Sequence, residues 1–176
     1  MWPSRLYERL LERRIVMAHG LLTDETATQL SAQLLTLDAE GDEPIRLELL
    51  GLDSELPAAL AVMGVLDVVG VPVHAYAGGR IAGPGLGVLA SCSHRRGYPN
   101  AVFALTEPRV QIDGRAAELA AQEEQLRTML DALYFRLAEV TGREVDEIRD
   151  DARRARHLTA EQAISYGLIQ AIPQLG

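Results

Sequence analysis

Apolar and polar positions alternate in blocks over the first 105 residues, with short apolar runs separated by longer amphipathic stretches. The apolar runs have strand length and predict strands over residues 15–18, 45–50, 72–77 and 101–105. Apolar residues at helical spacing predict helices over residues 5–14, 24–39, 57–69 and 86–90. The third of these helices is mostly apolar, so we expect it to be buried all round. Strands and helices that alternate three times predict an α/β fold with a largely parallel sheet.

The second part of the chain is dominated by one long helical pattern. Residues 109–112 predict a strand, and residues 115–140 predict a helix that is about 39 Å long. Its apolar stripe consists of Leu119, Leu126, Met129, Leu130, Leu133, Leu137 and Val140. A single domain of 176 residues is too small to bury the apolar stripe over this whole length, so we expect part of the stripe to contact another subunit. Two shorter helices are predicted after it, over residues 144–155 and 160–166.

Composition narrows the chemistry that the chain can perform. All 17 basic residues are arginine, and the chain has one cysteine, four histidines and six serines. This inventory excludes a Schiff-base lysine, a P-loop lysine, a disulfide framework and a zinc site built on several thiolates. A net charge of −8 disfavours nucleic acid as a partner. We expect no metal and no cofactor.

The sequence also favours a cytoplasmic protein. No window approaches 18 uninterrupted apolar residues, so no membrane-spanning helix is expected. The first residues run into a charged amphipathic stretch instead of the apolar core of a secretory signal.

Three local motifs have both a structural and a functional interpretation. The glycine-rich residues 78–85 lie between a strand and a helix, where phosphate loops and nucleophile elbows also lie, but their spacing matches neither and favours tight packing. Residues 91–94, Ser-Cys-Ser-His, favour a solvated loop over a triad, because a nucleophile and its base must converge in space. The arginine run at Arg153, Arg154 and Arg156 favours a solvated or subunit-facing surface, and His157 a charge at a helix end.

The order of elements, together with several short motifs, resembles the ClpP family, the proteolytic subunit of the Clp protease. The resemblance covers residues 6–172. It is carried by residues 8–15, 33–40, 99–100, 107–108, 113–118 and 141–142, and most clearly by residues 158–169, Leu-Thr-Ala-Glu-Gln-Ala-Ile-Ser-Tyr-Gly-Leu-Ile. It implies one domain over residues 1–176 with the ClpP/crotonase-type fold of repeated β-α units. The head is expected at about 1–108 and 142–176, and a protruding handle of a strand and the long helix at about 109–141.

The resemblance implies a serine peptidase site, but this sequence departs from it at all three catalytic positions. The family's serine lies in a Gly-Gln-Ala-Ala-Ser-Met-Gly-like turn, which here reads Gly-Arg-Ile-Ala-Gly-Pro-Gly and places Gly83 at the nucleophile position. The family's histidine precedes Gln-Pro, and here Thr106 precedes Glu-Pro. Ala155 takes the position of the aspartate. No base, nucleophile or orienting acid is therefore expected.

The oxyanion hole that the resemblance implies is also altered. The family uses the backbone N–H of the residue after the serine, which here is Pro84 and has no N–H. The second donor belongs to a Ser-Pro-Gly-Gly motif that here reads Gly-Leu-Asp-Ser, so Ser54 is expected to keep a donor without the glycine geometry. Ser54, Thr106 and Asp151 lie near the relevant segments, but no histidine maps close to them.

The handle, by contrast, is expected to be intact, because the long helical pattern keeps its full length and its apolar stripe. In the family this handle joins two seven-membered rings. Two departures accompany it. The chain begins just before the first helix, so the family's N-terminal axial loop is expected to be absent. An Asp-Arg pair that the family uses across the ring interface reads Arg153-Arg154, which disfavours an identical partner ring through like charge.

Three hypotheses follow from these observations. The favoured one is a non-catalytic ClpP-type subunit that assembles with itself or with catalytic ClpP subunits in heptameric rings and works with a Clp AAA+ ATPase. The second is a hydrolase, or a crotonase-like acyl-CoA enzyme, with a rebuilt active site. The third is a free-standing homo-oligomeric scaffold.

Overall fold

A computed structural model describes residues 3–174 as seven helices and seven strands. The helices are Ser4–Glu12 (α1), Asp24–Glu40 (α2), Leu56–Val68 (α3), Gly85–Ala90 (α4), Ala116–Thr141 (α5), Val145–Arg153 (α6) and Ala160–Tyr166 (α7). The strands are Ile15–Leu22 (β1), Ile45–Ser54 (β2), Val73–Gly78 (β3), Arg80–Ala82 (β4), His94–Gly97 (β5), Val102–Leu105 (β6) and Arg156–Thr159 (β7). The expectation about an axial loop concerns the chain's first residues, of which Met1 and Trp2 lie outside the described range.

The strands form two small sheets, and their order confirms the predicted α/β fold. One sheet has the order β1-β2-β3-β5, and all three of its pairings are parallel. The other has the order β4-β6-β7, in which β4 is parallel and β7 antiparallel to β6. Connections through helices between parallel strands are the β-α units that the alternating pattern predicts.

The core lies between the four-stranded sheet and the helices packed on it. Inward-facing strand residues are apolar, and α2, α3 and α4 close over them. The largest fully buried side chains are Phe103, Leu34, Ile45, Leu47, Leu49, Leu52, Ile81, Leu86, Leu89, Leu105, Leu133 and Ile148. A hydroxyl residue followed by two acids predicts a helix N-cap at Thr23. Thr23 caps α2 in this way, since its hydroxyl accepts the N–H of Thr26 while its own N–H donates to the Thr26 hydroxyl.

Two predictions about individual elements are wrong, each for a physical reason. Helix α3 is not buried all round, because the face with Ala61 and Gly64 is exposed and Val68 is 72% exposed. Residues 109–112 form no strand, because a strand requires a hydrogen-bonded neighbour and no segment within residues 3–174 bonds to their backbone.

Three short strands lie where the sequence predicts none. Strand β4 lies inside the glycine-rich segment, β5 inside the polar stretch after α4, and β7 inside the arginine run. Each of them has three or four residues and mostly polar or small side chains, so it shows no hydrophobic pattern. Its conformation depends instead on backbone hydrogen bonds to a neighbouring strand.

The long helix α5 is present over 26 residues, but only its second half belongs to the core of this chain. Leu133 and Leu137 are buried, whereas Leu119, Leu126, Met129 and Leu130 are only half-buried. The predicted stripe therefore divides into a part that is buried within the chain and a part that the chain covers only partly.

The end of helix α2 depends on Arg14, which provides a test of fold stability. Its guanidinium donates to the carbonyl oxygens of Leu37 at 2.8 Å, Glu43 at 3.0 Å and Gly41 at 3.2 Å. Arg14→Met removes these charge-assisted bonds, so we expect the free energy of unfolding to fall by about 2 kcal/mol in denaturant titrations. Arg13→Met is the matched control, because Arg13 is exposed. Equal stability of the two variants would contradict this role for Arg14.

Candidate functional site

The nucleophile position, Gly83, lies in the turn between β4 and α4, against the end of β6. Its φ of +54° is a left-handed conformation, and its N–H donates to the carbonyl of Ala104 at 3.1 Å. A Cβ placed on Gly83 would lie 3.4 Å from the hydroxyl oxygen of Thr106 and 3.0 Å from Oδ1 of Asp53. The fold thus brings the predicted nucleophile and base positions together, with a carboxylate between them that sequence reasoning missed.

The third position, Ala155, lies at the same end of strand β6. Strand β7 is antiparallel to β6, with Leu105 opposite Arg156, so the register continued by one residue places Ala155 opposite Thr106. Ala155 has a φ of +51°, and its carbonyl lies 2.7 Å from Nδ1 of His157. The three sequence-predicted positions therefore converge on one place, where the side chains are the hydrogen of Gly83, the hydroxyl of Thr106 and the methyl of Ala155.

Neither of the two oxyanion-hole positions has a backbone N–H that is free of a hydrogen bond. Pro84 begins helix α4 with a φ of −64° and has no N–H to donate. The N–H of Ser54 already donates to Oδ1 of Asp53 at 2.7 Å, and its hydroxyl donates to the carbonyl of Glu55 at 2.8 Å. Ser54 thus retains a backbone N–H, and the neighbouring carboxylate accepts it.

The acid nearest the arginine run is held in a structural network. Asp151 is 8% exposed and accepts bonds from the hydroxyl of Tyr166 at 2.6 Å and from Arg156 at 3.2 Å. Burial and the bond to Asp151 raise the pKa of Tyr166, which keeps its phenol a proton donor. Arg156 and Arg143 also lie against the Tyr166 ring, at 5.2 Å and 3.9 Å from its centroid. This network holds β7 on α6 and α7 and leaves Asp151 no histidine to orient.

The side chains of residues 91–94 do not converge, because each makes a separate contact. The hydroxyl of Ser91 donates to the carbonyl of Gly87, and that of Ser93 accepts the N–H of Val73. The ring of His94 packs edge-on against His74, with 4.4 Å between their centroids. No serine hydroxyl within residues 3–174 is hydrogen-bonded to an imidazole, so these residues contribute packing and not a catalytic pair.

Cys92 offers no alternative nucleophile, which can be tested directly. The thiol is buried and lies 3.4 Å from the carbonyl of Val88, and burial raises its pKa to about 12. Since the thiolate is the reactive form, we expect the folded protein at pH 8 to react with Ellman's reagent at least roughly 100-fold more slowly than the unfolded protein. One thiol should titrate in guanidinium chloride, and fast labelling of the folded protein would contradict this assignment.

An open groove of about 530 Å³ lies between helices α5 and α6 and the segment after Thr106. It is lined by Glu107, Pro108, Val110, Leu126, Arg127, Leu130, Asp131, Tyr134, Arg149 and Arg153. The half-buried residues Leu126 and Leu130 of the long helix therefore lie across this groove from the segment that follows Thr106.

The arginine run carries less unpaired charge than its sequence suggests. Arg153 is paired with Asp150 at 2.9 Å, which offsets part of the positive charge of Arg153 and Arg154. Arg154 has no carboxylate within 4 Å among residues 3–174.

None of the helices described over residues 3–174 is both long enough and apolar enough to span a bilayer.

Comparison with known proteins covers nearly the whole chain. The family model described as Clp protease matches residues 3–175. The ATP-dependent Clp protease proteolytic subunit 2 of Mycolicibacterium paratuberculosis and subunit 1 of Mycobacterium tuberculosis are each 31% identical over 170 residues, which is 95% of this chain and 85% of theirs. Subunit 1 of Corynebacterium jeikeium is 31% identical over 172 residues, 95% of this chain and 90% of its own. The chain therefore belongs to the Clp protease family.

Proposed function

We propose that this chain is a non-catalytic, structural or regulatory subunit of a ring assembly within an ATP-dependent Clp protease. One observation supports the proposal: Gly83 and Ala155, at the end of β6, have neither a nucleophilic nor a basic side chain, and no imidazole within residues 3–174 is hydrogen-bonded to the hydroxyl of Thr106 beside them. Without an activated nucleophile there is no route to an acyl-enzyme. The Asp53 carboxylate bonded to the Ser54 N–H further opposes a developing negative charge.

Its partners in this proposal are other copies of itself, catalytic ClpP subunits in heptameric rings, and a Clp AAA+ ATPase, all in the cytoplasm. The partly covered side chains of helix α5 support assembly, because Leu119, Leu126 and Leu130 are only half-buried and offer apolar area to a partner surface. Residues 109–112 support it too, since their backbone groups make no hydrogen bond to another segment within residues 3–174 and are free to pair with another subunit.

The test combines labelling with measurement of mass. We expect no fluorophosphonate labelling of any serine and no cleavage of fluorogenic peptides by the purified chain. Native mass spectrometry should show oligomers of the chain alone, or mixed oligomers after a catalytic Clp subunit is added. Labelling of a serine would overturn the non-catalytic role, and a chain that stays monomeric in both samples would overturn the structural one.

The rival hypotheses make different predictions in the same experiments. A rebuilt hydrolase would be labelled, and a crotonase-like enzyme would hydrate an enoyl-CoA, a reaction that needs two backbone N–H donors to the thioester oxygen. Pro84 and the occupied Ser54 N–H disfavour that use of the site. A free-standing scaffold would form homo-oligomers and fail to co-purify with a Clp subunit or a Clp ATPase from the native host.

A further inference from the structure

The segment before helix α5 contains the one Asp-Gly pair of the chain, Asp113 and Gly114. Residues 106–115 form neither a helix nor a strand, and both members of the pair are exposed. Gly114 has a φ of +147°, which residues with a side chain rarely adopt. The local backbone therefore favours a glycine directly after Asp113.

The N–H of Gly114 and the carboxylate of Asp113 are not engaged elsewhere in the fold. Among residues 3–174, Gly114 donates no backbone hydrogen bond, and Asp113 has no basic side chain within 4 Å. The carbonyl of Asp113 accepts one long bond, from Nε2 of Gln122 at 3.3 Å, which is a weak restraint. Because no helix or ladder fixes the dihedral angles here, the nitrogen of Gly114 can approach the carboxyl carbon of Asp113.

We propose that Asp113 rearranges spontaneously to isoaspartate and is the main site of this modification in the chain. The nitrogen of Gly114 attacks the side-chain carboxyl carbon, a C–N bond forms, and the carboxyl hydroxyl leaves with the amide proton as water, which gives a cyclic succinimide. Water then adds at the former main-chain carbonyl of Asp113 and breaks its bond to nitrogen. The chain now runs through the side chain of Asp113, and its mass is unchanged.

The fold protects the one asparagine, Asn100, from the corresponding reaction. The nitrogen that would attack belongs to Ala101, which is 2% exposed and donates its N–H to the carbonyl of Tyr98 at 3.1 Å. Formation of the ring would first require this turn to open, which costs free energy. We therefore expect little isoaspartate at Asn100 while the chain is folded.

Strand pairing protects the Asp-Ser pair at Asp53 in a similar way. Ser54 is buried at the end of strand β2, in register with Leu22 of strand β1, so the backbone on both sides of its nitrogen is fixed. The structure, and not the sequence alone, therefore makes Asp113 the reactive position.

The modification has a consequence for assembly, which rests on the proposed function. An isoaspartyl linkage adds one atom to the main chain between residues 109–112, which we propose to pair with another subunit, and helix α5. We expect an aged chain to form fewer oligomers in native mass spectrometry than an equally aged Asp113→Glu variant. Equal oligomers at a high content of isoaspartate would contradict this consequence, whereas a fresh chain without oligomers would contradict the proposed function.

The modification itself is tested by incubating the purified chain at pH 7.4 and 37 °C for several weeks. Isoaspartate is then measured by enzymatic methylation and located by peptide mapping with mass spectrometry. Most of it should map to Asp113. Asp113→Glu keeps the charge but would have to form a larger ring, so it should lower the number of methyl groups accepted by the aged chain at least about fivefold.

Asp42→Glu is the matched control, because Asp42 is also exposed and outside the helices and strands but is not followed by glycine. It should accept as many methyl groups as the unmodified chain. Incubation in guanidinium chloride should add isoaspartate at Asn100, since unfolding breaks the hydrogen bond that protects it. Isoaspartate chiefly at Asn100 or Asp53 in the folded chain, or an unchanged yield in Asp113→Glu, would overturn the proposal.

Discussion

A triple variant that carries Gly83→Ser, Thr106→His and Ala155→Asp is expected to remain without measurable peptidase activity. It regains the three side chains of a serine peptidase at positions that meet at the end of β6. The oxyanion site stays closed, because Pro84 has no N–H and Asp53 occupies that of Ser54. Loss of one such donor costs about 100- to 1000-fold in rate, and here two are lost.

Two further substitutions separate the contributions of these residues. Pro84→Ala restores a backbone N–H, and Asp53→Gly frees that of Ser54 and removes the oxygen 3.0 Å from the new Cβ at position 83. Each substitution, added to the triple variant, is expected to raise the rate of fluorophosphonate labelling about 100-fold, and both together by more. Kinetics with a fluorogenic peptide provide the second measurement.

The backbone at the substituted positions suits this experiment. Position 83 already has the left-handed conformation that nucleophile elbows impose on serine, and position 155 has a φ of +51°, which aspartate tolerates better than most residues. Circular dichroism and melting temperature should confirm that each variant folds. A folded triple variant that is as active as the variants with Pro84→Ala or Asp53→Gly would show that Pro84 and Asp53 do not block the site.

The sequence predicts the α/β alternation, the Thr23 cap and the length of helix α5, because each depends on local pattern or capping chemistry. Strands β4, β5 and β7 are not predicted, because their conformation depends on pairing with a neighbouring strand and not on a hydrophobic pattern. The hydrophobic pattern also does not predict which part of the apolar stripe of α5 is buried in the core, because the burial depends on which other elements pack against this helix.

The part played by Asp53 could not be predicted either. Sequence reasoning compares each position with its counterpart in the family, and Asp53 is neither a member of the triad nor an oxyanion donor. Its effect depends on how closely the end of β2 approaches Gly83, 30 positions away along the chain. The sequence offers one local signal: Asp53 stands where the family's motif has its first glycine, directly before Ser54. A carboxylate at that position can accept the backbone N–H of Ser54.

The long helix gives the second large effect that we expect. If the assembly proposed above is held together through helix α5, Leu119→Glu combined with Leu126→Glu should separate it, because a carboxylate buried in an apolar interface costs several kcal/mol. Both leucines are half-buried within the chain, so the fold should survive. If the handle joins two rings, the mass by native mass spectrometry should fall by half or more, while the melting temperature changes little.

Two comparisons make this result specific to the interface. Ala121→Glu combined with Gln125→Glu adds the same charge at exposed positions off the stripe and should leave the mass unchanged. Leu133→Asp should instead unfold the chain, because Leu133 is 1% exposed and a buried carboxylate there has no partner. An unchanged mass for the Leu119 and Leu126 variant would mean that this half of α5 faces solvent and that another surface holds the subunits together.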